Sequence, residues 1–149
     1  MNLYKREGRR FVKTTICDNA GKYYQKDGSF VEERTNDSIG LCIMSTTKEH
    51  VVMSLKTFYR GNFEYINTKL KNEFNGNAEL PKLQELMIAL ILFKEELNIG
   101  DWENIWNTEP MTSEPYIAHA YPKGGVGYSP DVEACRFALL RSIVRIQQI

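Results

Sequence analysis

The side chains able to do chemistry on their own are few and scattered along the chain. Two histidines occur, His50 and His119, and neither has a second histidine or a cysteine at metal-ligand spacing. Cys17, Cys42 and Cys135 are odd in number and far apart, with no C-x-x-C pair. Neither a zinc ribbon nor a dithiol redox motif can be built locally from them. Each lies beside apolar residues, as in Leu41-Cys42-Ile43, the setting of a small buried hydrophobe. The acid pairs Glu32-Glu33 and Glu95-Glu96 are adjacent in sequence. Neighbours on a helix diverge by about 100°, so paired-carboxylate hydrolysis gains no local support. No Gly-x-Ser-x-Gly elbow, P-loop or Gly-x-Gly-x-x-Gly is present. Gly124-Gly125-Val126-Gly127 follows Pro122 and reads as a hairpin turn in preference to a phosphate cradle. The expectation is a protein with no catalytic residue, no metal site and no cofactor.

What remains is a set of aromatic side chains with polar tips. Trp102, Trp106, Tyr116, Tyr121 and Tyr128 lie among polar residues, prolines and glycines. Such rings can stack on a sugar, a base or a partner surface, and they are the expected binding residues. Trp102 and Trp106 have a second reading, as anchors that fasten loops to the core. The loops expected to carry recognition run from Trp102 to Pro115 and from Tyr121 to Tyr128.

Composition narrows the class of partner. Lys and Arg total 19 and Asp and Glu total 19, so the overall surplus of positive charge usual in nucleic-acid coats is missing and nucleic acid is a disfavoured partner. Basic charge is concentrated in residues 1–10, where Lys5, Arg6, Arg9 and Arg10 flank Gly8. These are expected to form a docking arm ahead of a single domain at 11–149. Charges at Lys5-Arg6-Glu7 are followed by no apolar signal region, and the longest apolar run, Leu86 to Phe93, falls far short of a membrane span. Synthesis in the cytoplasm without a signal peptide is therefore expected.

The elements that would position these groups can be read in order. Phe11 to Ile16 is a strand closed by the turn Asp18-Asn19-Ala20-Gly21, and Tyr23-Tyr24 and Phe30-Val31 form a hairpin around Asp27-Gly28. Ile39 to Met44 and Val51 to Leu55 are near-continuous apolar runs, the pattern of central strands. Phe63, Ile66, Leu70 and Phe74 recur at helical spacing, ended by Asn75-Gly76-Asn77. Pro81 opens a second helix, faced by Leu83, Leu86, Met87, Leu90, Ile91 and Leu97. Ile88, Leu92 and Phe93 widen that face, so cover on more than one side is expected. Tyr116 to Tyr121 alternates as a strand, with Val126 to Tyr128 as its hairpin partner. The last segment is ambiguous, because Ser129-Pro130-Asp131 is a good helix start whereas Arg136 to Ile146 also reads as a buried strand.

Several stretches, taken in order, carry a resemblance. Gly21-Lys22-Tyr23-Tyr24-Gln25-Lys26-Asp27-Gly28-Ser29 is similar to the "G-x-Y-Y-x-x-D-G-S" opening of a bacterial and phage group of C-type-lectin-like modules. That group includes adhesin C-terminal domains and major paralogous domains. Ile39-Gly40-Leu41 resembles its "I-G-V" strand, followed by Val51-Val52-Met53-Ser54-Leu55. Leu80-Pro81-Lys82-Leu83-Gln84-Glu85-Leu86 resembles "L-P-(T/S)-x-x-E-L". Ile105-Trp106-Asn107-Thr108-Glu109 resembles "Y-W-S-S-T-E", with Tyr116-Ile117-Ala118 after it. Leu140-Arg141-Ser142-Ile143-Val144-Arg145 is similar to a closing "V-R-x-V-R". The match spans residues 20–146, although Asn107-Thr108 replaces the Ser-Ser pair and Asn75-Gly76-Asn77-Ala78 replaces an aromatic stretch.

The resemblance implies an α+β, C-type-lectin-like fold, with two helices packed on twisted antiparallel sheets and Arg136 to Ile146 as a strand. It also implies the absence of calcium. Glu109-Pro110 is followed by Met111, and Trp106-Asn107 by Thr108, so the ligand oxygens of the sugar-binding lectins are not reproduced. The function expected is a non-enzymatic binding, attachment or structural module, a phage virion component such as a fibre, tail or capsid decoration protein. Its partner would be a protein or a surface glycan receptor, with homo-oligomer formation a further expectation. The alternative is an intracellular interaction protein whose basic arm holds nucleic acid or an acidic host factor.

Overall fold

The computed structural model describes residues 2–7, 10–15, 18–56, 59–100, 103–108, 115–120, 126–129 and 138–148. Strands β1 (Asn2–Glu7) and β2 (Arg10–Thr15) pair antiparallel, with Asn2 opposite Thr15 and Glu7 opposite Arg10. Most of the expected basic arm is therefore the first strand of a hairpin.

A five-stranded antiparallel sheet follows, in the order β10-β6-β5-β3-β4. It is built from β3 (Tyr23–Gln25), β4 (Phe30–Val31), β5 (Ser38–Ser45), β6 (Glu49–Ser54) and the final strand β10 (Ile143–Gln147). The apolar runs in β5 and β6 are near-continuous because both faces are covered. Leu41, Ile43, Val51, Met53 and Ile143 pack with the helix residues Leu86, Ala89 and Leu90. On the alternate positions, Cys42, Val52 and Val144 meet Tyr24, Phe30, Phe74 and Ile146. Gly40 lies where the strands crowd: a Cβ there would stand 2.3 Å from Val52 Cγ1 and 3.1 Å from the Met53 carbonyl. Only glycine fits.

Helix α1 (Phe63–Leu70) starts where the Asn62 side chain accepts a hydrogen bond from the Tyr65 amide, at 3.0 Å. It ends sooner than the periodicity predicts. Ile66 packs in a cluster with Leu80, Trp106, Ile117 and Leu140, flanked by Phe63 and Leu70. Phe74 belongs to the other cluster, against Cys42 and Val52, so the chain must turn away between them. A short 3-10 turn at Phe74–Gly76 makes that change.

Helix α2 (Leu83–Leu92) begins two residues after Pro81, with Glu85 accepting the Lys82 amide at 2.9 Å. Leu86, Ala89 and Leu90 are its buried apolar residues. Met87, Ile91 and Leu92 are exposed among the described residues, so the expected cover on several sides is not found there. The helical spacing places Met87 and Ile91 on the packed face, and the structure turns both outward. Leu97 remains in the core although it lies in the turns beyond the helix.

A three-stranded sheet of β7 (Asn104–Thr108), β8 (Pro115–Ala120) and β9 (Val126–Ser129) follows, in sequence order and antiparallel. The chain then returns to the first sheet, where β10 pairs with β6, Ile143 opposite Met53 and Gln147 opposite Glu49. The local helix signal near the end yields to this pairing. The expected strand at 136–146 is realised as Ile143–Gln147, preceded by Ala138–Ser142 in irregular backbone with Leu139 in an isolated bridge to Ile105. The architecture is α+β, two helices with antiparallel sheets. Cys17, Cys135, Glu109-Pro110, the turn at 122–125 and residues 130–133 of the expected helix start lie outside the described residues, while Ser129 ends β9.

Candidate functional site

The motif residues converge on one another and brace the frame. Arg145 on β10 donates from Nη1 and Nη2 to both oxygens of Glu85, at 2.7 and 2.9 Å, from Nη1 to Glu49 at 3.1 Å and from Nε to Glu79 at 2.8 Å. The last strand, β6, the first turn of α2 and the segment before it are tied by one guanidinium. Hydrogen bonds to Glu85, and then its charge and that of Glu79, hold the Arg145 pKa above even the usual arginine range. Arg141 is 1% exposed. It grips Glu103 through Nε and Nη2 at 2.7 and 3.0 Å, and donates to the carbonyls of Leu97 and Asn98. A buried guanidinium satisfied on this many sides closes loops onto a core.

Of the expected aromatic residues, Trp106 is fully buried, its Nε1 donating to the Gly61 carbonyl at 3.1 Å and its ring 5.6 Å from that of Phe63. With no exposed surface it serves the frame as an anchor and offers nothing to a partner. Tyr116 and Tyr128 lie in β8 and β9, opposite Asn107 and Ala118. Their side chains, and Trp102 and Tyr121 entirely, lie outside the described residues. His119 is in β8 opposite Asn104.

One pair has the look of a nucleophile and its base. Ser45 Oγ stands 2.7 Å from His50 Nδ1, and the Asn19 amide donates to the same oxygen at 3.0 Å. Burial lowers the His50 pKa, opposed by the charge of Asp18, so the imidazole is held neutral. His50 is buried against Phe30, ring centroids 5.0 Å apart, and neither groove described below reaches the pair. The arrangement fastens the β5–β6 hairpin to the turn before β3. Cys42 beside it is buried and donates from Sγ to the Met44 carbonyl at 3.4 Å. Among the described residues no cluster of three or more His, Cys, Asp or Glu could hold a metal.

The open surface gathers elsewhere. A groove of about 540 Å³ is lined by Lys26, Arg34, Ser38, Ile39, Ser54, Leu55, Lys56, Asn72, Glu73, Phe74 and Asn75. It forms where β5 begins and β6 ends, between the loop before Ser38 and the turn after α1. Both walls are braced. Gln25, nearly buried, donates to Ser38 Oγ at 2.7 Å and accepts from Thr35 Oγ1 at 2.6 Å, which locks the turn that follows Arg34. The opposite wall has left-handed backbone at three successive residues, Phe74 (φ 47°), Asn75 (φ 56°) and Gly76 (φ 84°). For Phe and Asn this costs roughly 1–3 kcal/mol each. Burial of the Phe74 ring and the bonds from the Gly76 and Asn77 amides to Glu73 and Phe74 carbonyls, at 3.0 and 3.1 Å, offset it.

The groove's charge is held in place rather than neutralised. Glu73 is buried, and its Oε1 has no hydrogen-bond partner, only the Lys56 ammonium 3.5 Å away. Lys56 itself has a raised pKa, first through a hydrogen bond with Tyr59 and then through the charge of Glu73. Lys26 approaches Asp37 no closer than 4.0 Å. The side chains of Arg34, Asn72 and Asn75 are exposed and carry no hydrogen bond or ion pair among the described residues. A second groove of about 470 Å³, lined by Gln25, Lys26, Asp27, Ser29, Val31, Thr35 and Asp37, adjoins the first at Lys26. Asp27 there has a lowered pKa because the Ser29 hydroxyl and amide both donate to its carboxylate. Taken together the two grooves can hold an extended ligand by hydrogen bonds and charge.

No single stretch of sequence announces this site, because its cations lie far apart in the chain and each alone reads as a solvated surface residue. Asn75-Gly76, a left-handed turn signal, is the one local sign. No family model matches the chain, and no curated protein or solved structure matches it.

Proposed function

We propose that this protein is a non-enzymatic binding or attachment module on a C-type-lectin-like frame, and that the groove at Lys26, Arg34 and Lys56 is where it meets its partner. The observation that carries the reading is a division of labour. Trp106, Glu85, Arg141 and Arg145, all from the motif stretches, are tied to other parts of the chain. Unpartnered polar side chains collect instead on a braced groove. A rigid frame bearing adaptable loops suits recognition. The topology supports the C-type-lectin-like assignment: the last strand returns to the first sheet, so both helices and the second sheet form one long excursion between β6 and β10.

The setting that fits such a module is a virion surface, as part of a fibre, a tail or a capsid decoration, contacting a protein or a surface receptor. Electron microscopy of purified particles with a specific antibody tests the setting: label on the particles is expected, and its absence from every particle would overturn it. Saturable binding of the fluorescent protein to host cells tests the site. Arg34→Gln is expected to weaken that binding. Binding indifferent to Arg34→Gln and weakened by Tyr121→Ala would move the site to the aromatic loops.

A further inference from the structure

We propose that the Lys26–Arg34–Lys56 groove takes an acidic saccharide, gripping its carboxylate or sulfate with the three cations and its hydroxyls with the amides of the opposite wall. This rests on reading the protein as a binding module. Four observations select the ligand class. The lining holds three cations and one carboxylate, Glu73, with Asp37 4.0 Å from Lys26, in a chain whose charges balance overall, so the groove attracts an anion. Arg34 has its planar fork of donors unengaged among the described residues, a match for a carboxylate or sulfate edge.

Asn72 and Asn75 each present an unpartnered amide, donor and acceptor together, the complement of a hydroxyl that also gives and receives. Ser54 Oγ, which accepts from the Lys56 amide at 3.1 Å, retains its own proton to donate. Finally, the groove is open and adjoins its neighbour at Lys26, where Asp27 and Asp37 offer acceptors to hydroxyls, so the acidic group belongs beside Arg34 and a chain of residues fits better than a compact molecule. An acidic peptide fits less well. It would pair with a strand edge, yet the groove lies at strand ends, where the Leu55 amide is already bonded to the Ile39 carbonyl at 3.1 Å.

The test is calorimetric titration of the full chain with trigalacturonate, its methyl ester, a heparin tetrasaccharide, hexaglutamate and a thymidine hexanucleotide. Trigalacturonate or the heparin fragment should bind, with affinity falling steeply between roughly 0.05 and 0.5 M salt. The neutral ester should bind at least about tenfold more weakly, and Arg34→Gln or Lys56→Gln should each cost about tenfold. The two acidic saccharides separate carboxylate from sulfate preference. Equal binding of the ester, indifference to Arg34→Gln, or tighter binding of hexaglutamate or the hexanucleotide would overturn the proposal. So would silence with both saccharides. If cell binding still depends on Arg34 in that case, the binding site stands and only the ligand class falls.

Discussion

The cluster around Arg145 and the groove around Lys56 use the same residue types to opposite ends. Arg145 is surrounded by Glu85, Glu79 and Glu49, with four hydrogen bonds drawn by its guanidinium. Arg34 and Lys26 stand at the surface with, at most, a carboxylate 4.0 Å away. In the first region charge is matched inside the molecule, and its removal strands a partner. In the second, Lys56 is matched by Glu73 while Arg34 is left to be matched from outside. Residue type alone does not separate frame from site; the number of partners already engaged does.

The largest expected effects fall on the frame. Arg141→Met would leave Glu103 and two carbonyls short of their donor, and a loss of about 3–5 kcal/mol in urea unfolding is expected. Trp106→Ala should cost a similar amount through the cavity it opens. Losses below about 1 kcal/mol would show that the frame tolerates what its geometry forbids. Next, Gly40→Ala forces a Cβ against Val52 and should cost about 1–3 kcal/mol. A melting temperature equal to wild type would mean that the strands separate freely there.

A smaller effect should appear with pH. The folded His50 is depressed below its ordinary 6.5, so the fold favours the neutral ring. That stability is present above the unfolded value and is lost as pH falls through the folded one. The melting temperature should therefore drop between pH 7 and pH 5 by more in wild type than in His50→Gln. Identical profiles would remove His50 from the acid response. The smallest effect on stability belongs to the groove, where Arg34→Gln should shift unfolding by no more than about 0.5 kcal/mol.

Legibility followed the same divide. The β5–β6 hairpin could be read because both its faces are buried and its apolar runs are long. The turns at Gly21 and Gly28 could be read because positive φ favours glycine. The length of α1 could not, since Phe74 keeps helical spacing while its ring joins a different cluster. Nor could the exposure of Met87, Ile91 and Leu92, whose apolar character suggested cover. The closing strand ran against local helix signals and was legible only through the order of motifs. Glu85 and Arg145 are 60 residues apart, and nothing in either neighbourhood names the other. The groove was hidden for the same reason, with its walls brought together only by the pairing of β5 with β6 and the turn after α1.

Frame and binding surface are separable, and the double variant Lys26→Gln, Arg34→Gln tests this, with melting and trigalacturonate titration recorded on the same sample. A melting temperature within about 2 °C of wild type and an affinity lower by about a hundredfold are expected. Undiminished binding, or a loss of binding matched by a loss of folding, would contradict it.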